Sequence, residues 1–248
     1  MAVDWTTYRA VLFDLDGVIT PTAEVHMHAW STMFNDFLRE RGVSEPYTDA
    51  DYFEHVDGKP RYDGVRDFLA SRGIRLDDGT PTDPADQAVG SETVCGLGNR
   101  KNDAFGEVLR RDGVQAYPGS VRLLDQLRAA GMPMAIVSSS KNAPDVLAAA
   151  GVTDYFATVV HGGVATEKGL KGKPAPDMFE EAARELGVPD DGSVVVEDAI
   201  NGVKAGAAGD FALVIGVDRG AGHEALTAAG AQVVVSDLEE LTTSEETA

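Results

Sequence analysis

Six short apolar runs constrain this chain more than any other feature. They are RAVLFD (9–14), PMAIVS (133–138), ATVVH (157–161), SVVVED (193–198), FALVIGV (211–217) and AQVVVSD (231–237). Each is short and apolar and reads as a buried strand. Segments with helical spacing separate the last five. SVRLLDQLRAAG places Val121, Leu123, Leu124 and Leu127 near one face and stops at Gly131. NAPDVLAAAG offers Asn142 as N-cap, Pro144 in the first turn and Gly151 as the stop. PDMFEEAARELG and DAINGVKAGAAG follow the same pattern. Strands alternating with helices of this length predict an α/β fold with a mainly parallel sheet. Right-handed crossovers then bring all strand C-termini to one edge.

Residues 23–111 break that rhythm. AEVHMHAWSTMFNDFLRERG carries Val25, Ala29, Met33 and Phe37 at four-residue intervals, with Trp30, Phe34 and Leu38 alongside, which predicts an amphipathic helix. RYDGVRDFLASRG and NRKNDAFGEVLRRDG have helical spacing too, and LDDGTPTDPADQAVG (76–90) reads as a loop. The expectation is a Rossmann-like parallel sheet core with helices on both faces, residues 1–22 and 112–248. It carries an inserted α-helical cap domain, residues 23–111.

In an open parallel sheet, ligands bind beyond the carboxyl ends of the strands. The first run ends in Asp14, with Asp16 and Gly17 just after it. The second ends in Ser138, followed by Ser139, Ser140, Lys141 and Asn142. The fourth ends in Glu197 and Asp198, and Lys173 precedes two prolines in KGKPAPD. Singly, each has an ordinary structural role: a turn, an N-cap cluster, a strand end, a Pro-stiffened helix start. Jointly, at one sheet edge, they make a chemistry. Gathered carboxylates repel each other unless a hard cation such as Mg2+, which prefers oxygen ligands, lies among them. A serine hydroxyl, helix N-terminal N–H groups and a lysine favour a dianion. A metal, an anion cradle and a carboxylate able to attack form a phosphoryl-transfer site. Asp14 is its nucleophile, and Asp16 its general acid and base.

The charge balance narrows the partners. With 41 acidic and 21 basic residues, a formal charge of −20, the chain repels nucleic acid and anionic lipid, and neither is expected to bind. Any phosphate site must therefore supply its own cations. The lone cysteine, Cys95, argues against an internal disulfide and against zinc. MAVDWTTYRA lacks the basic and apolar opening of a signal peptide. No apolar run nears the roughly 18 residues that span a bilayer. A cytoplasmic monomer acting on a small phosphate-bearing molecule is expected.

DLDGV, AIVSSS, GKPAPD and VVVEDA, in this order, resemble the four motifs of the haloacid-dehalogenase superfamily of phosphotransferases. The resemblance implies an aspartyl-phosphate on Asp14. It also implies Mg2+ held by Asp14, the backbone carbonyl of Asp16 and Asp198, with Glu197 at or near the metal. DLDGVIT-x-TAE-x-H-x-x-AW, the G-x-x-R of Gly58 to Arg61, RKND at 100–103 and SxSKN at 138–142 are similar to the β-phosphoglucomutase branch. That likeness implies a cap that closes over the site, with His26 setting the position and protonation of Asp16. Arg61 would grip the phosphate distal to the chemistry, and Gly58, Lys59 and Lys101 would line the sugar side. Ser138, Ser140, Lys141 and Asn142 would contact phosphates and sugar hydroxyls, and Trp30 and Ser139 stand with this substrate-binding set. By spacing alone, Trp30 reads as core, His26 as its flank, and Arg61 and Lys101 as solvated charges.

The resemblance implies either of two activities. In a mutase, phospho-Asp14 converts β-glucose 1-phosphate to glucose 6-phosphate through β-glucose 1,6-bisphosphate. That scheme needs a second phosphate grip and exclusion of water. In a phosphatase, the same core residues pass the phosphoryl group to water. His26, Arg61 and Lys101 favour the mutase. A non-catalytic relative would be expected to lack Asp14 or Asp16, and a dehalogenase has no use for the metal arrangement. The sequence departs from the family pattern at Pro21, where Asp is common. It also departs in a longer stretch from Arg61 to Lys101, which the 76–90 loop absorbs and which bears on the sugar accepted.

Overall fold

The computed structural model describes residues 3–242. Each of the six apolar runs contributes a strand. After β1 (Ala10–Phe13) come three long helices, α1 (Thr22–Glu40), α2 (Arg61–Ser71) and α3 (Val94–Asp112). Alternation follows: α4 (Pro118–Ala129), β2 (Met134–Ser138), α5 (Ala143–Ala150), β3 (Thr158–His161), α6 (Gly162–Lys168) and α7 (Asp177–Leu186). The chain continues through β4 (Ser193–Glu197), α8 (Ile200–Ala208), β5 (Leu213–Val217), α9 (His223–Ala229) and β6 (Val233–Val235).

The sheet is wholly parallel, in the order β3-β2-β1-β4-β5-β6. β1 pairs with β2 on one side, Phe13 opposite Ile136, and with β4 on the other, Phe13 opposite Val196. The chain thus builds outward from β1 through β2 and β3, then returns to β1 and builds the other way. Such a reversal leaves a crevice at the carboxyl ends of the strands, and Asp14 follows β1 there. Every residue of β1, β2, β4 and β5 is buried, whereas β3 and β6, at the edges, are partly exposed. Full burial of the central strands means that helices cover both faces, which is why these runs read as continuous apolar stretches. On one face Leu12, Val137 and Val195 pack with Met178, Phe179 and Val203.

The chain divides into two compact units. One runs up to Pro21 and resumes at Val114; the other is Thr22–Gly113. The second has its own core, in which Trp30, Phe34 and Phe37 of α1 meet Phe68 of α2, Leu97 of α3 and Tyr47. Phe34 is wholly buried, with the Phe68, Tyr47 and Trp30 rings 4.3, 5.0 and 5.2 Å away. Each such side chain contributes about 1.5–3 kcal/mol of transfer free energy, enough for the unit to hold a core separate from the sheet. Between α1 and α2 the chain forms a helical turn, Asp49–Asp51, that runs into a π-helical turn, Tyr52–Val56.

Some local expectations shift. α3 begins at Val94, several residues before the NRKND segment. Thr93 caps it, its hydroxyl accepting from the Gly96 N–H at 3.0 Å. Gly96 and Gly98 lie in its first two turns. Asn142 occupies the N-cap position of α5, but its side chain makes no capping bond. Val121 is only half-buried, while Leu123, Leu124 and Leu127 face the core.

Candidate active site

The DLDG turn is over-determined. The Leu15 carbonyl accepts from the Ile19 and Thr20 N–H groups (2.9 and 3.0 Å), and the Gly17 N–H donates to the Thr20 carbonyl (2.7 Å). Leu15, Val18 and Ile19 are wholly buried, which roots the turn in the core. Three further bonds pin its outward groups. Arg219 Nε donates to the Gly17 carbonyl (3.0 Å), Ser120 Oγ to that of Val18 (2.7 Å), and the Tyr117 N–H to that of Ile19 (2.9 Å). The Arg219 guanidinium lies 4.0 Å from the centre of the Tyr117 ring. Gly17 has φ +87°, and a Cβ there would stand 1.8 Å from Asp198 Oδ2. The Asp198 carboxylate therefore packs directly on the turn that follows Asp14.

Asp14, 7% exposed, receives a hydrogen bond from Lys173, whose Nζ donates to Asp14 Oδ1 (2.5 Å), the Val137 carbonyl (2.9 Å) and Glu197 Oε1. Lys173 itself is 2% exposed. Burial pulls its pKa down, but the Asp14 and Glu197 charges more than offset this and hold the ammonium protonated. Burial pushes the Asp14 carboxyl well above the usual carboxylate range, against the pull of Lys173; Glu197 and Asp16 add to the rise. A nucleophile must be ionised, so Asp14 calls for positive charge beyond what Lys173 provides.

The oxygens at hand suit a hard divalent cation: the carboxylates of Asp14 and Asp198, both under one-tenth exposed, and the carbonyl of Asp16. Among the described residues no three His, Cys, Asp or Glu side chains form a ready-made metal cage. Two of the acids offered as ligands have other work. Glu197 is wholly buried and turned inward, Oε1 accepting from Lys173 and Oε2 from the Ala199 N–H (2.9 Å). The Asp16 carboxylate accepts from Ser138 Oγ at 3.4 Å, and Ser138 Oγ accepts from the Ser140 N–H at 3.1 Å. Ser138 is thereby held between Asp16 and the start of the SSKN segment, where Ser140 Oγ in turn accepts from the Asn142 N–H (3.1 Å). Ser139 and Asn142 are half-buried there, and Lys141 is exposed. One edge thus holds a buried carboxylate on a charged lysine, a second carboxylate two residues on, and a hydroxyl tied to the main chain of the SSKN segment. That set can attack phosphorus, move a proton to or from a sugar oxygen, and bind an oxyanion.

The helical unit gathers its polar residues into two groups. His26 stacks on Phe105, rings 4.0 Å apart and 7° from parallel, and Lys101 meets its Nδ1. Lys101 is 4% exposed, its Nζ 5.0 Å from the Trp30 ring and 5.1 Å from Phe105. Cation–π contacts keep this charge in an aromatic setting without neutralising it. Trp30 is thus both core and a wall for Lys101. The second group is Arg61, whose Nη1 and Nη2 donate to Asn99 Oδ1 (3.3 Å) and Asn102 Oδ1 (2.5 Å). Lys59 is committed elsewhere, to Asp67 at 2.6 Å, and Gly58 takes φ +70° in the turn before α2. His28 is exposed.

Reading strand ends had left out Arg219, Tyr117, Ser120, Asn99 and the Val137 carbonyl. Arg219 was within reach of the same rule, since it follows the β5 run by two residues. Nothing in the spacing marks the others.

The family model for haloacid dehalogenase-like hydrolases matches residues 8–210. A β-phosphoglucomutase of Mycobacterium bovis is 50% identical over 243 residues, 94% of this chain and 91% of that protein. A β-phosphoglucomutase of Bacillus subtilis is 33% identical over 236 residues, 94% of this chain and 92% of that protein. In fold, the chain is similar to a crystal structure of β-phosphoglucomutase from Clostridium difficile, with TM-score 0.74 and 24% identity, covering 95% of this chain and 93% of that one.

Proposed function

Since the chain belongs to the haloacid dehalogenase-like hydrolase family, we propose that it is a Mg2+-dependent β-phosphoglucomutase, turning β-glucose 1-phosphate into glucose 6-phosphate. The observation that carries this reading is the buried Asp14 carboxylate on Lys173, with Asp16 beside it. An Asp14 oxygen attacks the 1-phosphate phosphorus of β-glucose 1,6-bisphosphate and the bond from phosphorus to the C1 oxygen breaks, leaving an aspartyl-phosphate and glucose 6-phosphate. Asp16 gives its proton to the departing sugar oxygen. With β-glucose 1-phosphate bound, Asp16 takes the proton from the attacking 6-hydroxyl, and the phosphoryl group moves from Asp14 to that oxygen. Lys173 stays protonated throughout and balances the charge gathering on the phosphoryl oxygens. Asp14, Asp198 and the Asp16 carbonyl would hold Mg2+, which would supply the further positive charge that an ionised Asp14 requires.

In this reading residues 23–111 act as a cap, with Arg61 the grip for the second phosphate and His26 and Lys101 on the sugar side. Among the described residues no helix is long and apolar enough to cross a membrane. The reading takes the enzyme as a cytoplasmic monomer that uses neither nucleic acid nor lipid. Product analysis tests it. Given β-glucose 1-phosphate, Mg2+ and a trace of bisphosphate, the expected product is glucose 6-phosphate; free phosphate as the main product would establish a phosphatase instead. Arg61→Ala is expected to lower bisphosphate use on the order of a hundredfold, with a far smaller loss on acetyl phosphate. Gly17→Ala is expected to raise the Mg2+ requirement about 10–100-fold by displacing Asp198, read by titrating the metal calorimetrically.

A further inference from the structure

We propose that Asn99 is the positioning residue through which the 76–90 loop sets the aim of Arg61, and that it thereby governs which bisphosphate is accepted. This rests on the reading of Arg61 as the second phosphate grip. Asn99 uses its whole hydrogen-bonding capacity. Its Nδ2 donates to the carbonyls of Pro81 (3.1 Å) and Asp83 (2.9 Å). Its Oδ1 accepts from Arg61 Nη1 (3.3 Å) and the Tyr62 hydroxyl (3.1 Å). With both N–H groups engaged by loop carbonyls, the amide oxygen can face only Arg61 and Tyr62. The loop end of this link is itself fixed, since Thr93 Oγ1 donates to Asp83 Oδ2 at 2.7 Å. Gly98 lets α3 come this near: a Cβ there would lie 2.8 Å from the Tyr62 ring and 3.1 Å from Arg61 Cδ.

The choice of an amide is physically informative. Three other cations of this unit sit on carboxylates: Arg41 on Glu92, Lys59 on Asp67, Arg66 on Asp78. Arg61 is steered by amide oxygens, which orient a guanidinium without neutralising it. In a chain of formal charge −20, that keeps one cation in reserve for an incoming dianion.

Asn99→Asp tests the idea at nearly constant shape. It turns two donors into acceptors against the Pro81 and Asp83 carbonyls and places a carboxylate on Arg61. KM for β-glucose 1,6-bisphosphate is expected to rise about 10–100-fold, and Asn99→Ala to raise it about threefold to tenfold. The loss in kcat/KM on acetyl phosphate, which has no second phosphate, is expected to be several-fold smaller. A thermal melt accompanies each variant, and Asn99→Ala carries the comparison if Asn99→Asp melts early. An unchanged bisphosphate KM in both variants, alongside a raised one in Arg61→Ala, would overturn the role of Asn99 alone. An unchanged KM in Arg61→Ala would overturn the underlying reading of Arg61 as well. Equal losses on both substrates would also overturn the positioning role.

Discussion

Asp14→Asn is expected to reduce turnover at least about ten-thousandfold and to abolish labelling by the phosphate analogue beryllofluoride. The substitution keeps the shape of the side chain and removes only its ability to take up phosphorus. It also removes a carboxyl whose pKa burial pushes well above the usual carboxylate range, so the charge lost is one that its surroundings disfavour. The fold should tolerate the change, because Lys173 keeps its bonds to Glu197 and the Val137 carbonyl. A melting temperature close to that of the parent, together with no turnover, is the expected pair of results. Retained turnover would rule Asp14 out as nucleophile; a collapsed melt would mean that the residue serves the fold first.

Lys173→Met reaches both stability and rate. Its ammonium is 1% exposed and stands between carboxylates that are 9% and 0% exposed. Without it, Asp14 and Glu197 face each other in the interior with no cation. Uncompensated buried charge of this kind costs about 3–5 kcal/mol, or roughly 6–20 °C in melting temperature for a chain of this size. Turnover should fall by a further hundredfold to thousandfold, as when one preorganised charge is withdrawn from a transition state. Glu197→Gln in the Lys173→Met background should restore part of the stability, since it removes the charge left behind, and should not restore the rate. A double-mutant cycle would register that coupling as about 1–3 kcal/mol. If Lys173→Met melts with the parent, the buried ion network is not what holds this edge of the sheet together.

Much of the core was legible because its signals are local. A run such as SVVVE needs only a few consecutive residues to read as a buried strand, and RELG or AAAG only one turn to stop a helix. The polar residues beyond those strands could be gathered on paper because a parallel sheet offers them one edge. The helical unit was less legible. α1 showed its apolar stripe, but α3 starts at a threonine cap ahead of two glycines that locally argue against a helix. The 76–90 loop read as irregular, which it is. Its bonds to Asn99 and Arg100 depend on main-chain carbonyls that carry no residue signature.

By itself the sequence determined the alternation, the place of Asp14, Asp16, Ser138 and Asp198 at or just beyond strand ends, that of Lys173 at a Pro-stiffened helix start, and the kind of chemistry those groups can do together. Only the tertiary structure decided how the acids divide the work. Glu197 and Asp198 are neighbours in sequence, yet one turns into the core to hold Lys173 while the other lies on the Asp16–Gly17 turn. Side chains at the end of a strand alternate in direction, so adjacency in the chain says nothing of shared partners. The same holds for Arg219 on Gly17, 202 residues apart, and for Asn99 on Arg61, 38 apart. Contacts at such separations are set by how the packed elements meet. No local pattern encodes them, and they fix where each charge points.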